Sequence, residues 1–332
     1  MQVSFFDVFV VVLSLTVLAV PGYILARFKM FPQKADEALS TLVLYGCQPI
    51  MMFVNFQKTA YRPEIATNML LVAGLTLLIH LIMIGVVIFV LPAKKTDSRR
   101  NTKNVARVAA IFSNCGFIGL PFLQMLFPGQ GEVLVYCGVV ISVFNLLAWS
   151  VAIFMISGDK KEISIKKVLL NPVLVGIYVG LTVFLILRTP LVDIANGTIW
   201  DSVIEKLMGS FDFISNAITP LSMMVIGIRL ANVNLKSLFA NPLAYYSNFL
   251  KLVVLPIITT VVVAFLPIDN SVKYTLFFTL SMPSATISAL FAIKYNSDGD
   301  FGSVSVLLSS LLSVVTIPVM YLFFELFCKI IK

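Results

Sequence analysis

Ten long apolar segments divide into two halves that overlay without gaps at a constant offset of 171 positions: Pro49 answers to Pro220, Ser113 to Ser284, Gly131 to Gly302 and Ser142 to Ser313. Each half carries five segments. An odd number of crossings obliges the second half to enter a bilayer from the side opposite to the first. Such inverted repeats are associated with secondary transporters, whose substrate lies near the midplane where the two copies meet.

A helix needs about 20 apolar residues to cross the hydrocarbon. Of the 332 residues 59% are hydrophobic and only 12% charged, far more apolar than a water-soluble core requires. The pattern predicts an all-α polytopic membrane protein with spans near 4–26, 35–56, 66–91, 105–127, 132–155, 172–188, 207–230, 243–266, 272–294 and 303–325. The first five-helix repeat then occupies 1–156 and the second 165–332. No soluble domain is expected. The longest polar stretches are 92–104 and 157–167, read as short connectors, and 189–206, read either as an interfacial amphipathic helix with Asp193, Trp200, Asp201, Ile204 and Glu205 or as a plain loop.

The net charge of +8 does not form a solvated basic face for nucleic acid. Sixteen Lys and Arg fall in alternate connectors, among them Arg99, Arg100, Lys160, Lys161, Arg229 and Lys294. The opposite side holds seven, including Lys58, Arg62 and Lys206. By the positive-inside rule both termini are expected outside the cytoplasm of a multi-pass protein of the cell membrane. The first apolar run has no basic residue before it and no small-residue cleavage site, so it reads as a retained helix. Cys47, Cys115, Cys137 and Cys328 are scattered without a CxxC pair, which gives neither a disulfide framework nor a metal site. No cofactor is expected.

Spans four and nine are irregular. The first reads Phe112-Ser113-Asn114-Cys115-Gly116-Phe117-Ile118-Gly119-Leu120-Pro121 and the second Ser281-Met282-Pro283-Ser284-Ala285-Thr286-Ile287-Ser288. Proline removes a backbone donor and clashes with the preceding turn, and glycine weakens a helix interior, so both rods should open or kink there. Opened backbone survives at membrane depth only where it is buried in protein or lines a wet cavity. Two interruptions at matched positions of inverted repeats would meet at one place, with Pro121 and Pro283 as the helix-breaking residues.

An interrupted helix offers free N–H groups and a partial positive charge of about +0.5 at the start of its second half, which suits an anion such as a carboxylate. Ser113, Asn114, Ser284 and Thr286 supply neutral hydrogen-bonding groups around it, and Gly116 and Gly119 allow close approach. The expected site is therefore polar but neutral. Ser288 either faces it or bonds its own helix. Asn145 in span five either faces the site or ties two helices. Pro49 and Pro220 are matched prolines of spans two and seven. Asp7, Asp212 and Glu325 lie near outer ends, in anchoring positions. Lys251 lies about two turns into its span, from where it can snorkel. His80, the only histidine, is a candidate proton relay or a packing residue.

At the broken spans the chain resembles the auxin efflux carrier family, bacterial type. The likeness rests on Asn114 through Pro121, on Met282-Pro283-Ser284-Ala285-Thr286 with the loop from Tyr295 to Asp300, and on Ser309-Ser310-Leu311-Leu312-Ser313. The resemblance implies ten helices with a scaffold of helices one, two, six and seven and a transport core of three to five and eight to ten. It implies that helices four and nine cross at Pro121 and Pro283, that Asn114 helps hold an organic anion, and that two copies form a homodimer through the scaffold. Family substrates include indole-acetate and small carboxylates such as malonate and malate; the short connector at 157–167 departs from the long cytoplasmic loop of many plant carriers.

The expected activity is secondary transport of a small organic anion across the lipid bilayer by alternating access, since no nucleotide-binding loop is present. Two alternatives stand beside it. One is a sodium-coupled symporter of the bile-acid type, which needs carboxylates or free carbonyls in the core. The other is a membrane sensor that binds a ligand without moving it. An enzyme is not expected, because HExxH, GxSxG and paired intramembrane aspartates are all missing.

Overall fold

A computed structural model describes residues 3–94, 96–164, 166, 169–233 and 238–331. Four of the basic residues in the charge count, Lys95, Lys167, Lys236 and Lys332, lie outside the described residues. The regular elements described are all helical: α1 (Phe5–Arg27), α2 (Ala35–Gln57), α3 (Pro63–Val90), α4 (Arg100–Ile111), α5 (Cys115–Leu126), α6 (Gly131–Ser157), α7 (Pro172–Leu187), α8 (Leu191–Ala195), α9 (Asp201–Asn232), α10 (Pro242–Ala264), α11 (Asn270–Ser281), α12 (Ile287–Lys294) and α13 (Gly299–Ile331). Seven of these, α1, α2, α3, α6, α9, α10 and α13, are long and apolar enough to cross a bilayer.

The remaining predicted spans depart from a long continuous rod. Spans four and nine are each split in two, as α4 with α5 and α11 with α12. Span six is α7, whose 16 residues rise about 24 Å, short of the roughly 30 Å of a hydrocarbon core. In the stretch 189–206, read as an interfacial helix or a loop, the five residues of α8 are helical, and Asp201, Ile204 and Glu205 begin α9, which starts six residues earlier than expected.

Proline shapes the rods in two ways. Pro49, Pro121 and Pro256 each lie two residues past a wide, π-type turn, at Leu42–Cys47, Cys115–Gly119 and Leu250–Val254. A proline ring clashes with the carbonyl four residues back, and widening the turn before it moves that carbonyl aside. Pro220 is instead carried inside α9.

Two helix pairs pack backbone against backbone: α1 on α9, and α7 on α2. A Cβ on Gly227 would sit 2.0 Å from the Ala19 carbonyl oxygen, one on Gly22 2.2 Å from that of Met224, and one on Gly176 2.4 Å from that of Pro49. Small residues at such crossings are how apolar helices associate where lipid supplies no hydrophobic drive. The interior between α5, α11 and α13 is aromatic, with Phe277 stacked on Phe324 at 4.4 Å and Phe278 on Tyr321 at 5.3 Å. Outward faces keep large apolar side chains exposed, among them Leu70, Phe89, Ile186, Phe213 and Ile330, as a lipid-facing surface does.

Candidate functional site

The two breaks pair with each other. Ser113 and Ser284 form a single antiparallel bridge. The Asn114 N–H donates to the Pro283 carbonyl and the Ala285 N–H to the Phe112 carbonyl, both at 2.8 Å. Side chains repeat the exchange: Ser113 Oγ donates to the Leu280 carbonyl at 2.7 Å and Ser284 Oγ to the Ala109 carbonyl at 2.8 Å. Every member of each pair lies 171 positions from its counterpart, 109 with 280, 112 with 283, 113 with 284 and 114 with 285. Carbonyls that an unbroken helix would bond to its next turn are thus capped by the other broken rod, which removes the penalty of opened backbone inside protein.

Pro283 sits in the second break. Pro121 does not lie in the first, which falls at Phe112–Asn114; Pro121 is buried in the first turn past the wide turn of α5, where no interruption is needed. There the Gly119 N–H reaches back to the Asn114 carbonyl at 3.0 Å. Gly119 packs against Met282, whose Cγ would be 3.0 Å from an added Cβ, so its small size serves the crossing of the two rods.

A cavity of about 270 Å³ begins at this crossing. Asn114 and Gly116 line it from the start of α5, and Ala285, Thr286 and Ile287 from the start of α12. Apart from the Cys115 and Ser288 N–H groups, which bond the Ser113 and Ala285 carbonyls, first-turn N–H groups at both helix starts have no preceding turn to bond, so both positive ends lie at the same hollow. Apolar walls come from Leu44, Phe117, Ile141, Phe144, Trp149, Val173 and Phe291. The Asn114 carboxamide has no protein hydrogen-bond partner among the described residues, which leaves it available to a ligand. Gln48, beside Pro49, donates from Nε2 to the Gly116 carbonyl at 2.7 Å and steadies the turn from α2.

Towards the side of the basic connectors the cavity is cationic. Arg229, in the last turn of α9, donates from Nε to Asp36 at 3.2 Å, from Nη2 to Ser40 Oγ at 3.1 Å and from Nη1 to Thr286 Oγ1 at 3.3 Å. Lys294, at the end of α12, lies over the rings of Trp149 and Tyr295 at 5.8 and 5.3 Å. None of the residues lining the cavity is a carboxylate; Asp36 meets Arg229 from behind. The expected neutral site is therefore corrected to one with two cations. The charge pattern alone assigns both to the connectors; the signal against that is that Arg229 stands within the apolar run from Leu221 to Leu230.

The other sequence candidates fall as follows. Asn114, Gly116 and Thr286 line the cavity; Ser113, Ser284 and Gly119 do not, because they build the crossing behind it. Ser288 Oγ bonds the Ala285 carbonyl of its own helix at 2.7 Å. Asn145 lines the cavity and also accepts from Asn171 at 3.4 Å across the α6 to α7 contact. His80 is buried away from the cavity, its Nδ1 on the Thr76 carbonyl at 2.8 Å and its ring beside Phe112. Lys251 does not snorkel: it is wholly buried, with Nζ bonded to Ser113 Oγ and the Leu280 carbonyl. Asp212 pairs with Lys58, Glu325 with Lys329, and Asp7 caps α1 with Ser4.

The profile of a family described as membrane transport protein matches residues 7–167 and 161–321. An uncharacterized transporter of Methanothermobacter thermautotrophicus is 25% identical over 312 residues, covering 92% of this chain and 95% of its own length. Another, from Methanocaldococcus jannaschii, is 22% identical over 310 residues, covering 92% and 96%.

Proposed function

This chain belongs to the membrane transport protein family, the auxin efflux carriers, and on that premise we propose that it is a secondary carrier of small organic anions, mono- or dicarboxylates, working by alternating access. One observation carries the substrate class. The hollow at the paired breaks receives two helix N-termini, the free carboxamide of Asn114 and two cationic side chains, with no carboxylate on its wall. Such a site favours an anion electrostatically, and the apolar wall gives room for a short carbon skeleton.

The arrangement supports a 5+5 inverted repeat of ten helical rods, 1–156 and 165–332, since the hydrogen bonds at the crossing occur in pairs that obey the sequence offset. A scaffold of α1, α2, α7 and α9 and a core of the other rods fit the backbone-to-backbone pairs α1 with α9 and α7 with α2. The cavity then lies at the boundary, with Arg229 and Gln48 from the scaffold and Asn114, Thr286 and Lys294 from the core. It extends from the breaks to the helix ends that carry the basic connectors, which is the cytoplasmic side by the charge rule, so this state faces inward and both termini lie outside. Movement of the core against the scaffold would carry the anion across, and two copies would join through the scaffold. Arg229 spans the boundary through Thr286. A bound carboxylate competing for Nη1 would exchange that bond for one to substrate.

The test is counterflow in proteoliposomes loaded with a panel of mono- and dicarboxylates. The expected result is saturable exchange of at least one carboxylate, abolished or strongly weakened in Asn114→Ala and Arg229→Gln. Exchange of organic cations with none of carboxylates would refute the reading.

A further inference from the structure

Lys251 places an amine in the interior with no carboxylate beside it. Its side chain leaves α10 at a wide turn and is wholly buried, and it takes part in none of the ion pairs among the described residues. Its Nζ donates to Ser113 Oγ and, at 3.0 Å, to the Leu280 carbonyl. Ser113 belongs to the first break and Leu280 to the last turn before the second, so one ammonium holds both. Leu280 has lost its helical donor, because the Ser284 N–H turns away to Ser309 Oγ at 2.9 Å.

Held as an ammonium, this amine needs its charge compensated. Here the compensation comes from helix ends: α4 and α11 both terminate at the crossing, and each C-terminus carries a partial negative charge of about −0.5. Carbonyl and hydroxyl oxygens at paired helix C-termini are also the ligand set that broken-helix transporters offer to a coupling cation. The repeat offset pairs Lys251 with His80, whose Nε2 has no partner among the described residues. Of this pair, Lys251 bonds to the breaks, whereas His80 bonds the Thr76 carbonyl of its own helix.

We propose that the Lys251 ammonium is a tethered substitute for a bound monovalent cation: it occupies the oxygen-lined place between the two breaks, neutralises the converging helix ends and makes the crossing independent of sodium. Lys251 is thus a positioning residue for the two helix starts that face the cavity. This role rests on the hydrogen bonds of the crossing and stands apart from the choice of an anion as substrate.

The experiment uses thermal unfolding of the purified full-length protein, which reads the crossing without any substrate. Lys251→Ala is expected to melt well below the parent and to recover at least half of the loss in millimolar methylammonium, but not in tetramethylammonium, which is too large for the vacated space. Lys251→Met, which refills that space with apolar atoms, is expected to melt low and to gain nothing from methylammonium. For the parent, replacing sodium by N-methylglucamine at constant ionic strength is expected to leave the melting temperature unchanged. A parent-like melting temperature in Lys251→Met would overturn the proposal, as would absence of methylammonium rescue in Lys251→Ala. Should neither variant fold, a saturable stabilisation of the parent by sodium would overturn it, and its absence would uphold it.

Discussion

Replacing Arg229 by Gln separates a recognition role from a bracing role. The guanidinium makes three hydrogen bonds, two to α2 through Asp36 and Ser40 and one to Thr286 at the cavity. The ion pair with Asp36 is partly hydrated, its side chains 20% and 24% exposed, so its loss should cost the fold about 1 kcal/mol. The loss to a bound carboxylate is larger. A hydrogen bond to a charged group is worth about 1.5–3 kcal/mol, and each 1.4 kcal/mol is tenfold, so the apparent KM should rise roughly 10- to 100-fold. Counterflow measures the second effect and thermal unfolding the first. The double variant Asp36→Asn/Arg229→Gln decides between them: removing the orphaned carboxylate should restore melting while transport stays weak. Recovery of transport together with stability would show that Arg229 merely braces α9 on α2, and an unchanged KM in Arg229→Gln alone would defeat the assignment outright.

Asn114→Ala should depress transport with little change in melting temperature, since no protein hydrogen bond is lost; a large destabilisation would mean that the carboxamide is structural. Lys294→Gln should raise KM less than Arg229→Gln does, and more at low than at high salt, because the ammonium acts as a screened point charge without a fixed fork; a salt-independent effect contradicts that role. Ser284→Ala should cost about 1–3 kcal/mol by leaving the buried Ala109 carbonyl uncapped, read as a fall in unfolding free energy. Gly176→Ala drives a Cβ to 2.4 Å from the Pro49 carbonyl and should destabilise by about 1–3 kcal/mol without touching the cavity. Parent-like stability in either of the last two variants would contradict the packing described.

The hydrophobic register and both interruptions were legible because each is a local property. Apolar runs set the helix ends to within about five residues except at the start of α9, whose first turns are polar enough to read as loop, and at the end of α13, which runs to Ile331. Gly and Pro marked the broken rods, although Pro121 is accommodated by a wide turn and the opening falls at Phe112–Asn114. Functions of side chains were less legible, because they depend on partners far along the chain. Ser113 and Ser284 read as a polar wall until their hydroxyls are seen to cap carbonyls 167 and 175 positions away. Arg229 and Lys294 were hidden by the same count of basic residues that orients the protein: a cation at a helix end serves topology and a binding cavity equally well, and the sequence does not say which.

The offset identifies where chemistry can happen but not what it is. At the crossing the two halves are nearly equivalent, exchanging the same backbone bonds and the same serine caps. One residue further on, equivalence ends: Asn114 answers to Ala285, Thr286 to Cys115 and Lys251 to His80. The symmetric part closes opened backbone and could be copied from one half to the other at no electrostatic cost. The asymmetric part supplies the Asn114 carboxamide and the buried Lys251 amine. Doubling them would put two ammonium groups against one pair of helix ends, and like charges that close in a low-dielectric interior repel strongly. One lysine is therefore the arrangement a shared mid-depth crossing permits, while the neutral Asn114 carboxamide, free of that repulsion, joins Asn145, Arg229 and Lys294 among the polar groups of an otherwise largely apolar hollow.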